Sequence, residues 1–156
     1  MLTVRPATMR DSDQLLLWRN ESAARRWSPN PAEISPAEHS LWLTAVLVSD
    51  RHLILVAEAG GQPIGSVRFA QHDAGVWEVS VVLDPAQRGR GLGRASLTAA
   101  EDLLLARAVG TMTIQAVIHR DNDRSLQLFR GAGYRPVPTA LGTGEFVTYA
   151  KVFAQE

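Results

Sequence analysis

Gln87-Arg88-Gly89-Arg90-Gly91-Leu92-Gly93 stands between an apolar, β-like run ending at Leu83 and a helix-like stretch beginning near Arg94. Glycines at alternate positions let the backbone turn tightly and aim successive N–H groups at one point. The helix that follows brings its positive dipole end to the same place. The run reads as a pyrophosphate cradle, with Arg88, Arg90 and Arg94 adding fixed charge through planar guanidinium groups. Other phosphate loops fit less well. A Walker loop closes on Gly-Lys-Ser/Thr, whereas Gly93 is followed by Arg94-Ala95-Ser96. A dinucleotide loop opens the first strand–helix unit and wants an acidic residue about 20 positions later. The plain alternative is a glycine-rich surface turn.

A chain of 156 residues suits one domain, 1–156, with a real core. Sixteen basic and sixteen acidic side chains leave no global field, so neither nucleic acid nor an anionic membrane is an expected partner. Arginine carries nearly all the positive charge, Lys151 being the only lysine. The absence of cysteine excludes disulfides, thiolate metal sites and a cysteine nucleophile, and no metal is expected. No signal-peptide pattern opens the chain and no apolar run reaches membrane-spanning length. The expectation is a soluble cytoplasmic protein, monomer or homodimer.

Leu2 to Arg5 reads as a strand, and Thr8-Met9-Arg10-Asp11 as a capping signature for a helix to about Asn20. Trp27 to Pro31 is a proline-broken connection. Ser35-Pro36-Ala37-Glu38 starts a helix that runs to about Ser49. In it Leu41, Ala45 and Val48 are read as one apolar stripe, and His39, Trp42 and Val46 as a neighbouring face open to ligand. His52 to Glu58 and Ile64 to Ala70 form a hairpin, and Val76 to Leu83 a third strand ended by Asp84-Pro85. After the cradle, Leu97, Ala100, Leu104 and Ala108 mark a helix that stops at Gly110. Thr111 to Ile118 is a strand, Asp121 to Ala132 a helix closed by Gly133, and Phe146 to Phe153 a last strand after a loop rich in Pro, Gly and Thr. The order β-α-α-β-β-β-α-β-α-β predicts an α/β domain with one central sheet.

Three blocks in this order resemble the GNAT superfamily of acetyl-CoA-dependent N-acetyltransferases. Trp77 to Pro85 is similar to the family's fourth strand, Gln87 to Gly93 to its Gln/Arg-x-x-Gly-x-Gly/Ala loop, and Asn122 to Tyr134 to its Asn-led helix ending in Gly-aromatic. Together they span roughly His52 to Tyr134. The resemblance implies a mixed central sheet flanked by helices, with acetyl-CoA as cofactor held between two splayed parallel strands. Its pyrophosphate would lie on Gln87, Arg88, Gly89, Arg90, Gly91, Leu92, Gly93 and Arg94. Main-chain groups of Val81, Val82 and Leu83 would meet the pantetheine, and Asn122, Ser125 and Phe129 would approach from the later helix. Asn122 is equally a natural helix cap.

The implied reaction has a primary amine attack a thioester. An amine protonated at neutral pH needs a base first. Glu78 falls where many relatives place a catalytic or water-positioning glutamate, and strand alternation sets Glu78, Ser80 and Val82 opposite Trp77, Val79 and Val81. Burial on the strand would raise its affinity for protons; pairing with an arginine is the other reading. Many relatives carry a tyrosine on the late helix as acid toward the sulfur. Here Phe129 stands at that place, leaving Ser125, Tyr134 or water. His119, at a strand end, reads as hydrogen-bonded framework.

The acceptor must be read from the first fifty residues and the final loop. Trp18-Arg19-Asn20-Glu21, Arg25-Arg26-Trp27-Ser28, Ile34-Ser35, His39 and Trp42 are similar to a GNAT subgroup that acetylates nucleotide-linked aminosugars. Trp18, Asn20, His39 and Trp42 are then substrate candidates. Both tryptophans are also ordinary core residues of amphipathic helices. The acceptor is thus expected to be a small-molecule amine. A peptide N-terminus, an amine antibiotic, or no acceptor at all in a non-catalytic acyl-CoA sensor are the alternatives.

Overall fold

β-branched runs punctuated by glycine turns, alternating with capped helical segments, assemble into one mixed sheet covered on both faces. The computed structural model describes residues 1–139 and 144–154. Its elements are β1 (Leu2–Pro6), α1 (Ser12–Asn20), α2 (Ser22–Arg26), α3 (Pro36–Leu47), β2 (His52–Ala59), β3 (Gln62–Asp73), β4 (Val76–Leu83), α4 (Leu92–Arg107), β5 (Met112–His119), α5 (Asp123–Gly131), β6 (Arg135–Val137) and β7 (Phe146–Phe153). The seven strands run in the order β1-β2-β3-β4-β5-β7-β6. Every neighbouring pair is antiparallel except β4 and β5, joined through α4. No helix among the described residues is long and apolar enough to cross a membrane.

Strand alternation divides the interior. One face carries Leu55, Val67, Phe69, Val79 and Ile114 against Leu97, Ala100 and Leu104 of α4 and Phe129 of α5. The other carries Ile54 and Val56 beneath Leu15 and Trp18 of α1 and Leu43 and Val46 of α3. β2 is therefore buried on both sides, which is why its sequence is an unbroken apolar run. A Cβ on Gly65 would collide with the Val82 carbonyl oxygen, so only glycine lets β3 pass β4 there.

Both expected helix starts are present. Thr8 and Asp11 form a reciprocal capping box, and the Ser35 hydroxyl accepts from the Glu38 N–H at 3.1 Å behind Pro36. Three expectations need correction. The Leu41-Ala45-Val48 stripe faces solvent, with Leu41 76 % and Val48 84 % exposed, while His39, Leu43 and Val46 are buried. α3 is apolar on nearly every side, so periodicity did not choose its buried face; packing on Ile54 and Val56 did. α2 escaped notice because a glutamate caps it, Glu21 accepting from the Ala24 N–H at 3.0 Å. β6 contains Pro136, which a strand tolerates at the sheet edge it occupies.

Two side-chain ties bind α1 and α2 to the segment after β4. The Trp18 indole N–H donates to Asp84 at 3.0 Å, and Arg88 pairs with Glu21 at 3.1 Å. Part of the final loop, residues 140–143, lies outside the described residues, so its expected contribution to the acceptor site has no structural account here.

Candidate active site

β4 and β5 pair over only three registers, Val76↔Thr113, Trp77↔Ile114 and Glu78↔Gln115. Beyond Glu78 the strands part, and β5 continues with β7 alone. Along Val79–Leu83 no strand among the described residues takes up the main-chain groups that face β5, which is the splay expected of this sheet. Because the two strands are parallel, their C-terminal ends open the gap on one side. α4 and α5 begin there, at Leu92 and Asp123.

The glycines at the mouth of the gap act differently from one another. Gly89 and Gly91 hold positive φ, +82° and +74°, with nothing within 4 Å of where a Cβ would stand. Gly93 is helical and close-packed, its would-be Cβ at 3.4 Å from Leu83 and 3.5 Å from Leu128. Two glycines thus shape the loop, and the third seats the helix against the strand end. Among the described residues no protein acceptor takes the N–H groups from Gly89 to Arg94, and Gly91 caps α4 without a side chain. Gly89, Arg90 and Gly91 are exposed. A row of unpaired donors on a helix N-terminus beside an open slot fits a pyrophosphate-bearing ligand.

The arginines divide too. Arg90 is exposed and carries no hydrogen bond among the described residues. Arg94 folds back so that its Nη1 lies 3.3 Å from a Cβ position on Gly131. Arg88 is held by Glu21, whose carboxyl burial would push up but which Arg88 and the Ala24 N–H together hold below the usual carboxylate range. Gln87 ends a short 3-10 turn, its N–H on the Asp84 carbonyl. Asn122 caps α5, its Oδ1 accepting from the Ser125 N–H at 3.3 Å and its Nδ2 donating to the Ser125 hydroxyl at 3.1 Å.

The sheet face under α1 and α3 carries the remaining chemistry. The strand registers Arg68↔Ser80, Ala70↔Glu78 and Glu78↔Gln115 place Arg68, Ser80, Glu78 and Gln115 together on it. Glu78, the last paired residue before the strands part, stands at the fork. Its side chain is 35 % exposed and lies 3.4 Å from the Nε2 of His72, itself largely exposed. Glu78 is thus half-buried where a largely buried carboxylate was expected, and among the described residues it makes no ion pair with arginine, the other reading. Its carboxylate is partly open and touches His72, whose ring is largely exposed.

α3 supplies one wall. His39 is buried, its Nδ1 3.4 Å from the Ser12 hydroxyl, and burial followed by the charge of Arg19 pushes its pKa down. Half-buried Trp42 lies beside it, and the Arg68 guanidinium sits over the Trp42 ring at 5.4 Å. Opposite, Trp27 reaches from the end of α2 to His119 on β5, ring centroids 5.1 Å apart, and His119 stacks edge-on against Phe146. His119 Nδ1 accepts from the Asp121 N–H at 3.1 Å, as a framework residue would.

Three of the four substrate candidates are not open on that surface, and of the α3 face expected to meet ligand only Trp42 is, since His39 is 3 % and Val46 6 % exposed. Trp18 is 2 % exposed with its N–H committed to Asp84. Asn20 spends both ends of its amide on Ile34, donating to its carbonyl at 2.8 Å and accepting from its N–H at 2.9 Å. Both shape the wall and offer nothing to an acceptor. Phe129 is a core residue packed edge-on against Tyr134, centroids 5.1 Å apart. Tyr134 is not the thiolate's acid: fully buried, it donates to Glu101 at 2.7 Å, and burial with that carboxylate pushes its hydroxyl far up. Arg68 and His72 were missed, and Trp27 was noted only as part of the Arg25-Arg26-Trp27-Ser28 run. A lone arginine in phase with Ser66 and Ala70, inside the otherwise apolar run from Ile64, was the available signal for Arg68.

A sequence profile of the acetyltransferase (GNAT) domain matches residues 1–135, from the first strand through the α5 motif. The chain belongs to the GNAT acetyltransferase family. It is 33 % identical over 116 residues to a mycothiol acetyltransferase from Clavibacter michiganensis subsp. michiganensis (strain NCPPB 382), an alignment covering 60 % of this chain and 36 % of that protein. The GNAT chain thus spans about a third of that relative's length. Among solved structures, a domain from Methanocaldococcus jannaschii DSM 2661 superposes with TM-score 0.83 at 18 % identity, covering 98 % of this chain and 99 % of the other. The aminoglycoside acetyltransferase AAC(6')-Ib in complex with coenzyme A gives TM-score 0.80 at 23 % identity, covering 99 % and 95 %. These likenesses show that the GNAT fold described above is the fold of this chain.

Proposed function

We propose that this GNAT domain transfers the acetyl group of acetyl-CoA to the primary amine of a small molecule by direct attack. The observation that carries the reading is the unpaired β4 edge over Val79–Leu83, bounded by free N–H groups from Gly89 to Arg94 and by Glu78 at the fork. A bound acetyl-CoA supplies an activated acyl thioester. The chain does the rest. The unpaired edge of β4, including Val81, Val82 and Leu83, holds an extended amide-bearing arm as an added strand would. The cradle neutralises a diphosphate with dipoles already oriented. Glu78 takes a proton from the incoming ammonium, and His72 passes it toward solvent. Asn122 orients α5, leaving the Ser125 hydroxyl, or water, to return a proton to sulfur.

The small-molecule acceptor is supported by the relatives named for mycothiol and aminoglycoside acetylation, and by the half-buried ring of Trp42. An aromatic face suits a sugar or a base, which keeps a nucleotide-linked aminosugar as the finer reading. Thiol release from acetyl-CoA tests it, using purified protein and a panel of aminosugars, nucleotide-linked aminosugars, N-terminal peptides and aminoglycosides. Turnover confined to small amines is the expected result. Tight acetyl-CoA binding without thiol release from any amine would make the chain a sensor instead.

A further inference from the structure

The acceptor face carries a cation that the reaction does not use. Arg68 lies on β3, diagonally across from Glu78, under the Trp42 ring. It forms no hydrogen bond and no ion pair among the described residues, yet none of its nitrogens is sealed from solvent. Burial pulls its pKa down, Glu78 opposes that, and Arg19 adds to it. The nearest carboxylate is thus felt but not bound, being in contact with His72 instead. Arg19 stands behind, its Nη2 on the Asn30 carbonyl at 2.8 Å and its Nη1 enclosed without any partner. Two guanidinium groups and one carboxylate leave this face with positive charge in a poorly hydrated place. Held over an aromatic ring with its donors unspent and open to solvent, the Arg68 guanidinium is free to take an incoming oxygen group by forked hydrogen bonds.

We infer that the acceptor amine belongs to a molecule that also carries an anionic oxygen group, carboxylate or phosphate, and that Arg68 receives this group with Arg19 strengthening the local field. The inference rests on the acetyltransferase reading and adds the class of acceptor. Glu78 takes the amine end while Arg68, a strand away, takes the anion by forked hydrogen bonds. Polycationic acceptors are disfavoured by the same charges.

Two matched pairs test it: glucosamine against glucosamine 6-phosphate, and phenylalaninamide against phenylalanine. In at least one pair the anionic member should show a KM about 10- to 100-fold lower, the range for a hydrogen-bonded charge. Which pair responds tells phosphate from carboxylate. Arg68→Gln should bring that ratio close to one, Arg68→Lys should keep part of it, and Arg19→Gln should lower it by a smaller factor. Coenzyme A affinity, measured on every variant, reports that the donor site is still folded. Calorimetric binding of the anionic probes in the presence of coenzyme A decides the inference separately from turnover. Equal affinity within both pairs, or a preference that survives Arg68→Gln, overturns it while leaving the acetyltransferase reading in place.

Discussion

The proposed donor half and the proposed acceptor half of this molecule are built from different materials. Around β4, α4, β5 and α5 the contact groups are main-chain: an unpaired strand edge, a row of free N–H groups and two left-handed glycines. Around α1, α2 and α3 they are side chains brought together from distant segments, such as Arg68 with Trp42 and Trp27 with His119. A backbone site needs a local conformation, which short glycine spacing records. A side-chain site needs a tertiary arrangement, which no short stretch records. One half therefore suits an invariant donor and the other leaves room for a changing acceptor.

Breaking the reaction while leaving both halves folded is the largest expected effect. Glu78→Gln should lower kcat by about 10²- to 10⁴-fold, the range for a lost general base, with coenzyme A affinity unchanged by calorimetry. Retained turnover would move the base elsewhere on the acceptor face. Gly91→Val attacks the donor half alone. No neighbour lies within 4 Å, so the folding cost is the left-handed strain, about 1–2 kcal/mol in a thermal melt. Coenzyme A affinity should fall further, by about 100-fold, because two or more charge-assisted bonds at roughly 1.5–3 kcal/mol each are misaligned. Equal losses in folding and binding would count against the cradle.

The same division explains what was legible beforehand. The chain order of the larger elements, the left-handed turn at Gly89 and Gly91 and the α5 cap follow from apolar and β-branched runs, closely spaced glycines, and Asn122 before a helix, all local signals. Tertiary contacts decided the rest. α3 has apolar residues all round, so only the sheet beneath it shows that Leu43 faces inward and Leu41 outward. Trp18 and Asn20 sit in a motif that suggested substrate, but their partners, Asp84 and Ile34, lie 66 and 14 residues away. Glu78 was singled out by the family resemblance and by strand alternation; its contact with His72, which lies at the register shift between Gln71 and Asp73, was not foreseen.

A smaller effect separates framework from chemistry within the donor half. Tyr134→Phe removes the donor to Glu101, whose carboxyl burial already pushes up, against the Tyr134 bond and Lys151. With a folded pKa above the unfolded one, Glu101 favours the folded state when protonated, and that contribution fades as pH rises through the folded value. The variant removes a hydrogen bond to the charged form, so its destabilisation, about 1–3 kcal/mol, should be greater at pH 7 than at pH 5 in denaturant melts. Below the melting range kcat should be unchanged. A fall in kcat with a shifted alkaline limb would return Tyr134 to the reaction.

The smallest effect lies where the two halves meet. Glu21 joins α2 to the cradle through Arg88, and each side chain of the pair is about a quarter exposed, 24 % and 23 %. Such a pair is worth about 0–1 kcal/mol and weakens with salt. Because the folded Glu21 carboxyl titrates below its ordinary value, its contribution is present above the unfolded pKa and lost as pH falls through the folded one. Glu21→Gln should therefore lower stability by no more than about 1 kcal/mol at pH 7 in low salt, with the difference shrinking toward zero in acid. Melts of both proteins from pH 7 to pH 3 check this. A loss of several kcal/mol would mean that the side-chain half is fastened to the backbone half chiefly here, and not through Trp18 and Asp84.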